Sequence, residues 1–203
     1  RKKVMRYLFF ILWGYLSGSV LYAWLLPKWL CGKDIRKESP DQNPGTANAF
    51  TQGGIAVGIP VLFLELAKGF LPVYIAARCL DIHRPLFALV LAAPVAGHAF
   101  PAGNVKNGGK AIAVSFGCLL GLWPEWRPVA LLVGLYLLFS LVVVIRPHSR
   151  RSIVTFLSLI AGSITLVKNK AVVLGIMLLS GIVVEKHLAA RNPEKAKSSV
   201  KVF

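Results

Sequence analysis

Acidic residues are the scarcest resource of this chain: 8 Asp and Glu stand against 24 Lys and Arg among 203 residues, a formal net charge of +16. Cysteine is scarce too. Cys31, Cys79 and Cys118 are odd in number and widely separated, which argues against a disulfide framework and offers no metal-ligand spacing. Each is read as a small apolar packing residue. No polar stretch is long enough to bury a core of its own, so a separate soluble domain is excluded. The basic start leads into an apolar run without a small-residue cleavage site, and is read as a first membrane helix rather than a removed signal.

What the chain has in abundance is apolar side chains. They make up 56% of it, with a mean hydropathy of +0.64, against about 45–50% in soluble domains. They fall in blocks near 7–30, 54–78, 85–103, 111–126, 128–146, 152–167 and 171–185. A bilayer-crossing helix needs roughly 20 such residues. The expected fold class is therefore an all-α integral membrane protein with about seven short transmembrane helices. It forms a single polytopic domain over 1–203. The shorter blocks suit tilted or half-spanning helices.

The basic residues lie between these blocks. That placement favours anionic headgroups or anionic substrates as partners over nucleic acid. It equally fits loops simply held in the cytoplasm. With the N-terminus out and the C-terminus in, fourteen Lys and Arg fall on the inner side, Lys28 and Arg146 at the adjoining span ends among them, and nine on the outer side, with Lys68 inside a span. The inner segments are then 31–53, 104–110, 147–151 and the basic tail 186–203. They hold most of the reactive polar residues, so a site would face the cytoplasm.

Several constellations could carry chemistry there. Lys106-Asn107-Gly108-Gly109-Lys110 precedes the apolar run from Ala111. Paired glycines bend tightly, and a helix starting after them presents free N–H groups and the positive end of its dipole, a setting for phosphate. The alternative is a flexible basic loop. His98, in Gly97-His98-Ala99-Phe100-Pro101, is either a satisfied packing histidine or a substrate contact. The segment from Asp34 to Asn48 is dense in hydroxyl, amide and carboxylate groups. It suits turn chemistry, a cap on the next helix through Asn48 or Thr51, or contacts to a polar substrate. Glu65 and Lys68, three apart on one helix, are expected to pair with each other. Lys186-His187 closes the last block as a C-terminal cap or a substrate contact.

Taken in order, these motifs resemble the bacterial membrane family of acyl-phosphate:glycerol-3-phosphate acyltransferases, the PlsY type, along nearly the whole chain. Gly14-Tyr15-Leu16-Ser17-Gly18-Ser19 resembles the family's opening G-Y-L-x-G-S. Asp34-Ile35-Arg36, the Asn43–Asn48 segment and Glu65-Leu66-Ala67-Lys68-Gly69 follow, then G-H-x-F-P at 97–101 and G-G-K at 108–110. The resemblance implies a seven-helix enzyme of the bacterial inner membrane with a cytoplasmic active site. It would transfer a fatty acyl group from acyl phosphate to glycerol 3-phosphate, giving lysophosphatidate and phosphate. It implies no cofactor and no metal.

Carried onto this sequence, the resemblance gives Asp41, His98 and His187 catalytic roles. Lys106, Asn107, Gly108, Gly109, Lys110 and Arg36 would bind substrate phosphate, and Ser39, Asn43, Gly45, Thr46 and Asn48 would line the substrate loop. The chain departs from the pattern in the first motif, where Asp41 holds the family's serine position and Thr51 its arginine position. It departs again near the C-terminus, where Leu188 and Ala190 replace an arginine and an asparagine, with Arg191 nearby. Asp41 would serve as a general base, and would repel phosphate unless paired with Lys106, Lys110 or Arg36. Three outcomes stay open: a working enzyme with a modified site, an altered acceptor or donor, or a phosphate-binding homologue without turnover. A small transporter is a further alternative, and would need polar residues at mid-depth in several spans.

Overall fold

A computed structural model describes residues 2–39, 41–103 and 108–191. Every regular element among them is helical. The order is α1 (Lys2–Ser19), α2 (Tyr22–Cys31), the short α3 (Ile35–Glu38), α4 (Thr46–Gly53) and the long α5 (Ile55–Cys79). Then come α6 (Leu86–Ala99), α7 (Ile112–Leu120), α8 (Arg127–Leu137), α9 (His148–Leu166) and α10 (Lys170–Arg191). α8 continues through a π-helical turn, Leu138–Val142.

Among the described residues, three stretches are long and apolar enough to cross a membrane: Lys2–Cys31, Ile55–Cys79 and Lys170–Ala190. Their outer faces carry large apolar side chains such as Met5, Phe9, Phe63 and Leu178. Such a belt is costly in water and ordinary against lipid. The other elements are less uniform than equal crossings. α7 has 9 residues and α6 has 14, about 14 and 21 Å against a hydrocarbon core of roughly 30 Å. The 111–126 block is helical only to Leu120, because Pro124 lacks an N–H and restricts the residue before it. The 152–167 block starts earlier, at His148, and the 171–185 block runs on to Arg191.

The first block differs most. Hydropathy reads 7–30 as one span, but the helix breaks at Val20–Leu21. Backbone groups freed in an apolar setting must find partners. The charged pair on α5 supplies them. Lys68 Nζ donates to the Val20 carbonyl at 2.6 Å, and the Ala23 N–H donates to Glu65 Oε1 at 3.2 Å. Glu65 and Lys68 pair at 2.8 Å, as their spacing predicts. Ser17 Oγ closes the arrangement by donating to the Lys68 carbonyl at 3.0 Å.

α1 packs on α6, α6 on α10, α10 on α9 and α9 on α8, while α5 carries α7. In lipid such contacts rest on close van der Waals packing, which small residues permit. A Cβ at Gly18 would strike the Pro94 carbonyl, and one at Gly97 the Tyr15 carbonyl. The 14–19 motif also braces the chain after α6. Tyr15 Oη donates to the Phe100 carbonyl at 2.8 Å, and the Ala102 N–H donates to Ser19 Oγ at 3.2 Å. Of the cysteines, Cys118 packs inside as expected. Cys31 and Cys79 are exposed, because each ends its helix beyond the packed stretch.

Candidate functional site

The first loop folds around its own amides. Asp41 Oδ1 accepts from Asn48 Nδ2 at 2.8 Å and from the Asn43 N–H at 3.3 Å. Asn48 Nδ2 also donates to the Asn43 carbonyl at 2.8 Å. Asn48 therefore does not cap the next helix. It lies inside α4 and turns back to close the loop, while Gly54, with φ 73°, stands at the start of α5. Thr51 Oγ1 likewise stays within α4, on the Asn48 carbonyl. A Cβ at Gly45 would strike Asn43 Nδ2 and would have to push that side chain aside.

The second loop, 69 residues on in sequence, meets the first. Lys110 Nζ contacts Asp41 Oδ2 at 2.7 Å, and the Lys110 N–H donates to Asn43 Oδ1 at 3.2 Å. The two glycines let this loop lie on the end of α6. A Cβ at Gly108 would strike the Ala99 carbonyl, and one at Gly109 would strike His98 Nε2. The Gly109 N–H donates to the His98 carbonyl at 3.0 Å. Two loop N–H groups thus already have protein acceptors. The backbone donors available to a ligand come instead from the first turn of α7, where Ile112 and Ala113 line the cavity described next.

A cavity of about 880 Å³ opens between these loops. Asp41, Asn43, Thr46, Asn48 and Lys110 form its polar wall, joined by Glu65, His98, His148 and Ser149. The remainder is apolar: Leu62 and Leu66 from α5, Val129 from α8, and Ile112, Phe116 and Leu120 from α7. The last three are four residues apart and share one helix face, so the apolar slot follows α7 for about 12 Å.

The structure brings most of the sequence-predicted residues together. His98 is buried, with Nδ1 lying 3.1 Å from Glu65 Oε2 and 2.8 Å from Lys68 Nζ. It is both a satisfied packing histidine and part of the cavity wall. His187 is fully buried and sits within α10, which continues past it to Arg191 rather than ending there. Its Nδ1 lies 2.8 Å from the Val183 carbonyl. A carbonyl only accepts, so the ring proton is on Nδ1, and Nε2, without a protein partner among the described residues, is an acceptor. The ring stacks on His148 with centroids 6.3 Å apart.

Several expected residues are placed away from the cavity. Arg36 grips Asp34 through Nε and Nη2, both at 3.1 Å, with its guanidinium 4.2 Å over the Trp24 ring. Ser39 is buried, and neither it nor Arg36 lines the cavity; nor do His187, Gly108 and Gly109, which lie behind its wall. Lys106 and Asn107 lie outside the described residues. His148 is the residue that sequence reading missed. Its Nδ1 is 3.4 Å from Ser152 Oγ, which accepts from Tyr136 Oη at 3.2 Å. The only signal was a His-x-x-x-Ser spacing at the start of a helix, in a segment that reads as a plain basic connection. Among the described residues no group of three or more His, Cys, Asp and Glu is placed to hold a metal ion.

The electrostatics of the polar wall centre on Asp41. Burial works to raise its carboxyl pKa, but hydrogen bonds from Lys110 and Asn48 and the Lys110 charge outweigh burial. The group therefore titrates below the ordinary 3.8. Asp34 is also held below its ordinary value, chiefly by its hydrogen bond from Arg36. At neutral pH the Asp41–Lys110 contact is an ion pair.

Comparison with known proteins gives the family and the fold. The family profile described as glycerol-3-phosphate acyltransferase matches residues 8–192. A Bacillus cereus protein named glycerol-3-phosphate acyltransferase 2 is 36% identical over 190 residues, covering 92% of this chain and 89% of its own length. The Shewanella woodyi glycerol-3-phosphate acyltransferase is 33% identical over 177 residues, with 87% and 84% covered. A shorter alignment, 38% identical over 123 residues, covers 61% of this chain and 64% of the Myxococcus xanthus protein of the same name. The fold is that of the crystal structure of PlsY (YgiH), an integral membrane glycerol 3-phosphate acyltransferase, in its glycerol 3-phosphate form. The TM-score is 0.79 at 24% identity, over 95% of this chain and 92% of that one. By its sequence along nearly its whole length, the chain belongs to the glycerol-3-phosphate acyltransferase family.

Proposed function

We propose that this protein transfers a fatty acyl group from acyl phosphate to glycerol 3-phosphate, releasing lysophosphatidate and phosphate in phospholipid synthesis. The observation that carries the reading is a single cavity with two chemistries. Lys110, Asn43 and Asn48 gather at its polar wall, and an apolar slot follows α7 away from them. Phosphate binds at the polar wall, between Lys110 and the first turn of α7. The acyl chain lies along Ile112, Phe116 and Leu120.

The donor is already activated, so the protein's task is placement and charge stabilisation. The glycerol hydroxyl oxygen attacks the acyl carbonyl carbon. The bond from that carbon to the phosphate oxygen breaks, and the electron pair leaves with phosphate. Lys110 and the α7 N–H groups stabilise the departing charge. Asp41 accepts the hydroxyl proton. While paired with Lys110 it is a weak base, and a bound phosphate that draws Lys110 away restores its basicity. His98 holds the 108–110 loop through its backbone and ring, and His187, buried behind the cavity wall, packs on the His148 ring that lines it.

The same reading takes the chain as a polytopic domain over 1–203 in the bacterial inner membrane, with about seven crossings, N-terminus out and C-terminus in. Segments 31–53, 104–110, 147–151 and 186–203 then face the cytoplasm, where glycerol 3-phosphate is dissolved. Charge asymmetry supports this orientation. The test is reconstitution of the purified protein in lipid with acyl phosphate and labelled glycerol 3-phosphate. Lysophosphatidate should form, and Lys110→Ala should lower kcat/KM by about 10²-fold. No product from the unaltered protein would reject the assignment.

A further inference from the structure

The Asp41 carboxylate sits in a nest of donors that an anion would otherwise take. Lys110 Nζ approaches one oxygen at 2.7 Å, while Asn48 Nδ2 and the Asn43 N–H approach the other at 2.8 and 3.3 Å. A cation, a side-chain amide and a backbone N–H converge on it from two loops 69 residues apart in sequence. That donor set is the one a phosphate oxygen seeks. It is also built: Asn48 is fixed by a second bond to the Asn43 carbonyl, and Asn43 Oδ1 holds the Lys110 backbone. Both Asp41 and Lys110 line the cavity.

We infer that Asp41 is an internal competitor for the substrate's phosphate, a carboxylate that fills the anion subsite at rest and must be displaced when a phosphate monoester binds. This rests on the phosphate-site reading above and adds a consequence that reading lacks. The residue that accepts the proton also weakens ground-state binding. Two anions cannot share Lys110 without mutual repulsion, so the carboxylate gives up its three donors and stays at the cavity wall, free of Lys110 and within reach of the acceptor hydroxyl. The device keeps the site closed by an ion pair until a dianion outcompetes a monoanion, which favours phosphate monoesters over carboxylate metabolites of similar size.

The experiment is calorimetric titration of the full chain in detergent micelles at pH 7.5 and low salt, with inorganic phosphate and then glycerol 3-phosphate as probes. Asp41→Asn keeps the shape and removes the charge, and should bind both probes about tenfold tighter while losing turnover. Asp41→Ser, which vacates the donors entirely, should bind at least as tightly and serves if the asparagine variant is unstable. Lys110→Ala should abolish the gain in either background. Phosphate binding that is equal or weaker in both Asp41 variants overturns the competitor inference and leaves the acyltransferase reading intact. No phosphate binding by any form overturns both.

Discussion

Removing the Lys68 charge while leaving Glu65 in place isolates what the buried pair does. Both side chains are almost fully buried, Lys68 at 4% and Glu65 at 1% exposure. Lys68 Nζ has three partners, Glu65 Oε2 at 2.8 Å, the Val20 carbonyl at 2.6 Å and His98 Nδ1 at 2.8 Å. Lys68→Met keeps the bulk, leaves the Glu65 charge without its cation and strands the Val20 carbonyl. Breaking a buried pair from one side costs about 3–5 kcal/mol. For a chain of this size each kcal/mol moves the melting temperature by about 2–4 °C, so the shift is roughly 6–20 °C downward.

Glu65→Gln with Lys68→Met removes both charges and restores a neutral site, in which the glutamine amide still accepts from the Ala23 N–H. The double variant should therefore be less damaged than the sum of the two single variants, by about 1–3 kcal/mol of coupling. Thermal unfolding of the detergent-solubilised protein, followed by circular dichroism at a fixed scan rate, reads all three. Strict additivity, or a Lys68→Met shift under about 3 °C, would refute the view that this pair neutralises itself and satisfies the α1–α2 break.

Further outcomes follow from the same geometry. Gly97→Ala forces a methyl into the Tyr15 carbonyl and should cost about 1–3 kcal/mol of stability, seen as a lower melting temperature, whereas Gly134→Ala, at a site with open space, should not. Gly109→Ala drives the loop off His98 and should lower kcat/KM while the melting temperature moves far less; equal loss in both would contradict a local role. Leu120→Phe shortens the apolar slot, and each methylene excluded should cost about 0.8 kcal/mol, roughly fourfold in kcat/KM, for long acyl phosphates but not short ones. The Asp41 carboxyl is depressed, so its pairing with Lys110 is fully present above pH 3.8 and is lost only as pH falls through its lower folded value. Binding of phosphate should therefore show no Asp41-dependent step between pH 5 and 8, which a titration comparing the unaltered protein with Asp41→Asn checks.

Hydropathy alone decided that this chain is a helical membrane protein, because a bilayer accepts only segments that satisfy their own backbone and hide few charges. Motif order along the chain was enough to identify the family, and the three-residue spacing of Glu65 and Lys68 was enough to pair them. Sequence could not show that this pair also repairs a broken helix at Val20, because the partners are 42 and 48 residues apart and meet only through packing of α2 and the end of α1 on α5. Nor could it separate Arg36, spent on Asp34 and Trp24, from Lys110, which faces the cavity, since both are basic residues in polar loops. His148 entered the site for the same reason: its neighbours in sequence are plain, and its neighbours in space are His187 and the cavity. Periodicity and composition are local properties and survive in one dimension. Which carboxylate meets which ammonium depends on where helices cross, and only the folded chain fixes that.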